Sequence, residues 1–325
     1  MNKKTLLNRI IVGIGIAALI VAIVVIAALS VHYHSIYLRG LDALIISVLI
    51  LLSVIEMRRA LGRERIPDNF SWLIWVYGFG ITPSYVLFGY SGILFFTLLI
   101  FVLSTLTAFR INRADCLIHI AFMLVYPGLF MSSMLYINHC ASTQPIAENS
   151  VLSQYVIYDA WTLIGAKRTS VLLPYNALGL AFVFAVSTMT DIFAYFIGSI
   201  FGKQKLAPSI SPNKSIQGAI GGVFGGVLGS FIVYVLFEHF KLFGQGTALS
   251  IHGLSPFNLV LSYALIGFFG SIMTQIGDLL ASFIKRYCGI KDFSRILGEH
   301  GGIIDRFDGI MLNATFVAIV YMFII

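Results

Sequence analysis

Apolar residues run in long blocks along nearly the whole chain, separated by short polar stretches. Residues 10–29 hold no charge at all, and residues 94–109 repeat the pattern with Leu, Phe, Ile and Thr. Runs of this length exceed ordinary core helices and match the roughly 20 residues that a helix needs to cross a bilayer. Nine such blocks fall at about 10–31, 41–57, 71–88, 91–109, 116–137, 173–201, 216–237, 256–284 and 307–325. The pattern predicts an all-α polytopic integral membrane protein of about nine transmembrane helices. The first block follows Lys3, Lys4 and Arg9, but its apolar length exceeds the core of a signal peptide. It reads as an uncleaved first span.

Charge orients these spans. Alternate connections collect Lys3, Lys4, Arg9, Arg58, Arg59, Arg63, Arg65, Arg110, Arg113, Lys203, Lys205, Lys214, Lys285, Arg286, Lys291, Arg295 and Arg306, seventeen of the 21 cationic residues. The opposite connections hold Arg39, Lys167, Arg168 and Lys241. The positive-inside rule then puts the N-terminus in the cytoplasm and the C-terminus outside. Hydrophobic residues make up 58% of the chain and charged residues 11%, with mean hydropathy +0.93, which excludes a soluble globular domain. The net charge of +7 therefore reads as topology and attraction to anionic lipid; no nucleic-acid partner is expected. Cys116 and Cys288 fall near the inner surface and Cys140 outside, so neither a disulfide framework nor a metal-ligand spacing emerges. His32 and His34 read as solvated loop residues.

Two regions follow from the pattern. Residues 1–172 form a transmembrane scaffold of five spans plus an outer segment at about 138–172, in which 151–164 suggests an interfacial helix. Residues 173–325 hold four spans with cytoplasmic loops at 202–215 and 285–306, and here the polar chemistry gathers. Carboxylates inside spans are costly and therefore informative. Asp191 interrupts the sixth span, and Asp278 lies about 10 Å, seven helical residues, before Lys285. Asp305 and Asp308 share a helix face at i, i+3 spacing. The eighth and ninth spans are joined by a loop of about twenty residues, so Asp278 and Asp308 can meet at one depth. Asp278, Asp305 and Asp308, with Asp191 as a further candidate, suit Mg²⁺ and a possible second cation. Pairing with Arg286 or Arg306 is the competing, purely structural account.

Gly301-Gly302 suits a backbone that approaches a ligand closely at a helix mouth. The loop Gly202-Lys203-Gln204-Lys205 to Ser211-Pro212-Asn213-Lys214-Ser215 offers cations and hydroxyls to a triphosphate, although the Walker A order is absent. The next span opens with glycines every three or four residues, including Gly218/Gly222 and Gly225/Gly229. Close helix packing explains them, within the chain or in a homodimer through the helix at 216–237.

The stretch Ser282-Phe283-Ile284-Lys285-Arg286, Lys291-Asp292 and His300-Gly301-Gly302-Ile303-Ile304-Asp305-Arg306-Phe307-Asp308 closely resembles the signature of the CDP-diacylglycerol synthases, or phosphatidate cytidylyltransferases. Asp191-Ile192-Phe193-Ala194-Tyr195 to Gly198, Gly202-Lys203, and Ser211-Pro212-Asn213-Lys214-Ser215 with Gly218 resemble that family's other recurring block. The likeness covers about residues 188–312. Two departures stand out: Gln217 where family members commonly carry Glu, and Gly298-Glu299 where Pro-Gly is usual.

The resemblance implies a bacterial inner-membrane enzyme with its active site facing the cytoplasm. CTP and phosphatidic acid would become CDP-diacylglycerol and pyrophosphate. Asp278, Asp305 and Asp308 would hold Mg²⁺, with Lys285, Arg286 and Arg306 beside them. Lys203, Lys205, Ser211, Lys214, Ser215, Lys291, His300, Gly301 and Gly302 would bind the substrates. Two other classes are weighed against this, an ion-coupled secondary transporter and a CTP-dependent lipid kinase. Against a transporter, no repeat relates the two halves, and the ionisable residues gather at one membrane face.

Overall fold

The computed structural model describes residues 3–33, 35–138, 141–142, 156–158, 169–172, 175–242, 249, 254–298 and 301–324. Helix α1 (Lys3–His32) is followed by α2 (Ile36–Arg65), which the Ser35 side chain caps by accepting from the Leu38 amide at 3.4 Å. A short 3₁₀ turn, Asp68–Phe70, leads into α3 (Ser71–Arg110). Helices α4 (Cys116–Met123) and α5 (Phe130–Asn138) are joined through a π-helical turn at Leu124–Leu129 that contains Pro127. Then come α6 (Tyr175–Phe201), α7 (Ile216–Tyr234), α8 (Pro256–Tyr287) and α9 (Ile304–Ile324).

Among the described residues, eight helical segments are long and apolar enough to cross a membrane, against nine expected spans. The difference is α3. Its 40 residues would reach about 60 Å if straight, twice a bilayer's hydrocarbon core. Gly89, at φ 66° and ψ −153°, breaks the helix and turns it back on itself. The Tyr77 hydroxyl consequently lies 3.3 Å from Thr97 Oγ1, two residues that a straight helix would hold about 30 Å apart. The Tyr77 and Phe96 rings stack across the fold. Predicted spans 71–88 and 91–109 are thus the two arms of one broken helix.

The sequence gives no strand signal in the loop at 202–215, yet β4 (Lys205–Ala207) and β5 (Ser211–Ser215) form an antiparallel hairpin there. In the outer segment β1 (Ala141–Ser142), β2 (Val156–Tyr158) and β3 (Thr169–Leu172) form a three-stranded sheet in the order β1-β3-β2. The expected interfacial helix at 151–164 is therefore replaced at Val156–Tyr158 by a strand, in keeping with its β-branched and aromatic residues. The remainder of that stretch lies outside the described residues.

Helices α6 to α9 pack through small residues. Gly225 of α7 faces Phe193 of α6, and Gly226 faces Ser271 of α8 and Thr190 of α6; a Cβ at either position would collide. Gly222 meets Ala194 and Gln275. The glycine stripe is consumed on both sides by packing within the chain, so the homodimer expected through the helix at 216–237 gains no support from it. Contacts at one end of the bundle gather the cationic connections. Arg113 Nη2 donates to the Glu64 carbonyl at 2.7 Å, Arg65 lies 4.6 Å over the Tyr287 ring, and Arg286 Nε donates to the Ile210 carbonyl at 3.2 Å. The β4–β5 hairpin, the ends of α2 and α8 and the start of α4 share this face.

Candidate active site

A cavity of about 440 Å³ opens between α6, the β4–β5 hairpin, α7 and α8. Asp191, Asn213, Lys214, Ser215, Gln275 and Asp278 supply its polar lining, and Ala194, Tyr195, Leu206 and Ala219 its apolar wall. The hairpin brings Lys214 Nζ to 2.5 Å from Asp278 Oδ2. Asp191 and Asp308 both lie in the electrostatic field of Asp278, and Lys214 and Arg306 act on Asp191 with the opposite sign. Asp308 comes close because α8 and α9 nearly touch. A Cβ on Gly277 would strike the Asp308 carbonyl and lie 3.0 Å from the Gly309 Cα. The common depth read from the sequence for Asp278 and Asp308 is realised through this glycine contact.

Asp305 does something else. Its Oδ1 accepts from Lys285 Nζ at 2.8 Å, and its Oδ2 accepts from the Phe293 and Gly302 amides at 2.8 and 2.9 Å. Only 7% of its side chain is exposed, so this carboxylate is fully occupied in closing the loop between α8 and α9. Lys285 is held there too, 5.6 Å above the Phe293 ring. Among the described residues no three His, Cys, Asp or Glu side chains are arranged to hold one metal ion. Asp278, Asp305 and Asp308 therefore do not form the expected ligand trio, because Asp305 is turned into the loop. What remains is Asp191 and Asp278 in the cavity lining, with Asp308 behind them on α9, whose backbone packs on Gly277.

The family model of the cytidylyltransferase family matches residues 7–324 of the sequence. The chain belongs to the cytidylyltransferase family. It is 35% identical over 178 residues to the phosphatidate cytidylyltransferase of Aquifex aeolicus, a match covering 50% of this chain and 60% of that protein. To the proteins of the same name from Haemophilus influenzae and Bacillus subtilis it is 36% and 38% identical, over 49% and 46% of their lengths. The matched segment thus spans about half the length of these relatives.

Within this cytidylyltransferase family member, the expected substrate residues part company. Lys214 and Ser215 line the cavity, although Ser215 Oγ also accepts from the Gly218 amide at 3.1 Å and caps α7. Lys203, Lys205 and Lys291 stand exposed nearby, Ser211 is half-buried at the start of β5, and none of the four lines the cavity. Arg286 is engaged with the hairpin, and His300 lies outside the described residues. Gly301 and Gly302 make close approaches, but to protein. At φ 80° a Cβ on Gly301 would lie 2.8 Å from Asp305 Oδ2, and one on Gly302 would lie 2.5 Å from Glu56 Oε2.

Gln217 has a defined role despite departing from the family pattern. Its Oε1 accepts from the Lys203 and Gln204 amides at 3.1 and 3.2 Å, tying the hairpin's entry to α7. A carboxylate and a carboxamide oxygen serve equally there, which explains why glutamine suffices. Sequence reasoning missed Gln275, which lines the cavity one turn before Asp278 and donates to the Ala219 carbonyl at 3.2 Å. It also missed Tyr126, buried in the π-helical turn, whose hydroxyl lies in the field of Asp308, Asp278 and Asp305 and has no hydrogen-bond partner among the described residues. Nothing in the sequence singles out that tyrosine. Glu56 was legible as a carboxylate inside an apolar run, the same signal that drew attention to Asp191.

Proposed function

We propose that the protein transfers the cytidylyl group of CTP to phosphatidic acid, at the cytoplasmic face of a bacterial cell membrane. The observation that carries this reading is the cavity in which Lys214 meets Asp278 beside Asp191. It puts cationic and anionic groups together at the membrane end that collects the chain's cations, next to an apolar wall. Tyr195 on that wall is 72% exposed, and Ile220 on α7, next in sequence to the lining residue Ala219, is 67% exposed. Acyl chains can remain in lipid along this side while a nucleotide enters from the aqueous side.

A phosphate oxygen of phosphatidic acid attacks the α-phosphorus of CTP. The bond from that phosphorus to the bridging oxygen breaks, and pyrophosphate leaves with the electron pair. The nucleophile is already anionic, so no strong base is required, and the protein's task is alignment and charge neutralisation. Lys214 offers the triphosphate its ammonium from the hairpin, and Asn213 and Gln275 offer amide donors within the same cavity. Asp278 and Asp308 are the carboxylates that would hold Mg²⁺, whose charge would offset that of the substrate phosphates. Their fit rests on the packing of Gly277 against the Asp308 backbone, which brings the two carboxylates to one level near Asp191; Asp305, already saturated by three donors, does not fit.

The test is incubation of purified protein with cytidine-labelled CTP, Mg²⁺ and phosphatidate. Label extracted into the organic phase with release of pyrophosphate supports the reading. Release of CDP with transfer of the terminal phosphate identifies a lipid kinase instead. Absence of any CTP-dependent lipid product removes the proposal.

A further inference from the structure

Glu56 is a carboxylate for which the proposed reaction has no direct use, and it is fully buried on α2. Its Oε1 accepts from Ser294 Oγ at 2.6 Å and from the Ile303 amide at 2.9 Å; its Oε2 accepts from the Ile304 amide at 2.9 Å. All three donors belong to the loop between α8 and α9 or to the first residue of α9. The first amides of a helix have no acceptor within it and usually find a nearby side chain, water or a ligand. Here the acceptor comes from a different helix, 247 residues from Ile303 and 248 from Ile304 in sequence. With the Gly302 amide bound to Asp305, three successive amides at 302, 303 and 304 end on carboxylates. The mouth of α9 is therefore closed by protein and not open to a phosphate.

Gly302 makes the approach possible, since a Cβ there would lie 2.5 Å from Oε2 and 2.6 Å from Oε1 of Glu56. The loop is thus gripped from two sides. Asp305 gathers it from within, and Glu56 anchors it to the N-terminal half of the chain.

We infer that Glu56 is a positioning residue that holds Ser294, Ile303 and Ile304 against α2, and thereby sets α9 so that Asp308 stands beside Asp278. The inference rests on the reaction proposed above, and two readouts separate the fates of the two ideas. In full-length protein in nanodiscs, Glu56→Gln puts an amide N–H₂ against backbone N–H donors. Hydrogen exchange at residues 302–306 is then expected to quicken by at least about tenfold, with α6 and α7 unchanged. With saturating substrates kcat is expected to fall about 10- to 100-fold while KM for CTP moves less than about threefold, because Asn213 and Lys214 are untouched. Glu56→Asp, which keeps the charge on a shorter arm, should recover part of the lost kcat.

Unchanged exchange at 302–306, or unchanged kcat in an active enzyme, overturns the inference. So does faster exchange spread evenly through α6 and α7, which would mark general destabilisation. A loss carried by KM for CTP would make Glu56 a nucleotide-binding element and overturn it equally. If the unmodified protein makes no cytidine-labelled lipid, the proposed function falls, and the exchange measurement still decides whether Glu56 holds the loop.

Discussion

Lys214 and Asp278 touch at 2.5 Å across the cavity, joining the β4–β5 hairpin to α8. Their side chains remain 24% and 36% exposed, so the pair contributes on the order of 1 kcal/mol or less to stability. Its importance lies in where it holds two charges. A triphosphate entering the cavity can take the ammonium from Asp278 and leave that carboxylate available to a cation.

Lys214→Ala is therefore expected to raise KM for CTP about tenfold, and KM for phosphatidate by less, with the melting temperature nearly unchanged. Initial rates over a grid of both substrates check this. Equal weakening of the two, or loss confined to phosphatidate, would assign the hairpin to the lipid headgroup.

The two carboxylates at the start of α9 should behave differently when replaced. Asp308→Asn, like Asp278→Asn, is expected to lower turnover by about a hundredfold or more in protein that still folds, and to demand more Mg²⁺ for its residual activity. Asp305→Asn breaks a buried pair with Lys285 and turns an N–H₂ group toward backbone amides, which should cost about 3 kcal/mol of stability. Melting curves in detergent alongside Mg²⁺ titrations separate the cases. A stable but inactive Asp305→Asn would return that residue to the metal.

Gln217→Glu is expected to leave KM for CTP within about threefold, because the oxygen that accepts from the Lys203 and Gln204 amides survives. Gln217→Ala frees the hairpin's entry and should raise it more. A severe loss in Gln217→Glu would show that the local charge balance is built around a neutral side chain.

Sidedness is tested by cysteine labelling in a background lacking Cys116, Cys140 and Cys288. Burial pushes the Cys288 thiol above its ordinary range, so it is a slow reactor even before removal. Ser209→Cys in the hairpin turn and Asp292→Cys in the loop are both exposed positions. They should resist an impermeant reagent in intact cells and react after permeabilisation, whereas Lys241→Cys should react in both. Labelling of Asp292→Cys in intact cells would put the site on the wrong side for cytosolic CTP.

Much of this was legible beforehand for physical reasons. Hydrocarbon requires long apolar helices, so the helical architecture follows from local pattern, and the spacing of arginines and lysines sorts the helix ends into two sets. Asp191, Asp278 and Asp308 stood out because a carboxylate in a span is costly. The same cost marks Glu56, yet its meaning was hidden, since its partners Ser294, Ile303 and Ile304 lie more than two hundred residues away. The break at Gly89 fell where the apolar pattern ends one span at 88 and opens the next at 91, but only the structure shows the two arms folding back as one broken helix.

The sequence by itself determined that this is a membrane-embedded member of a recognisable family, with its polar chemistry in the last 140 residues. Hydropathy, charge placement and motif spacing are properties of neighbouring residues and need no fold. Only the tertiary structure decided how the polar groups are employed. It paired Lys214 with Asp278, spent Asp305 and Lys285 on the loop, and gave the Gly301-Gly302 turn to two protein carboxylates. A side chain's task depends on which donors and charges surround it, and those arrive from helices whose packing, through Gly277 and the glycines of α7, no local pattern specifies.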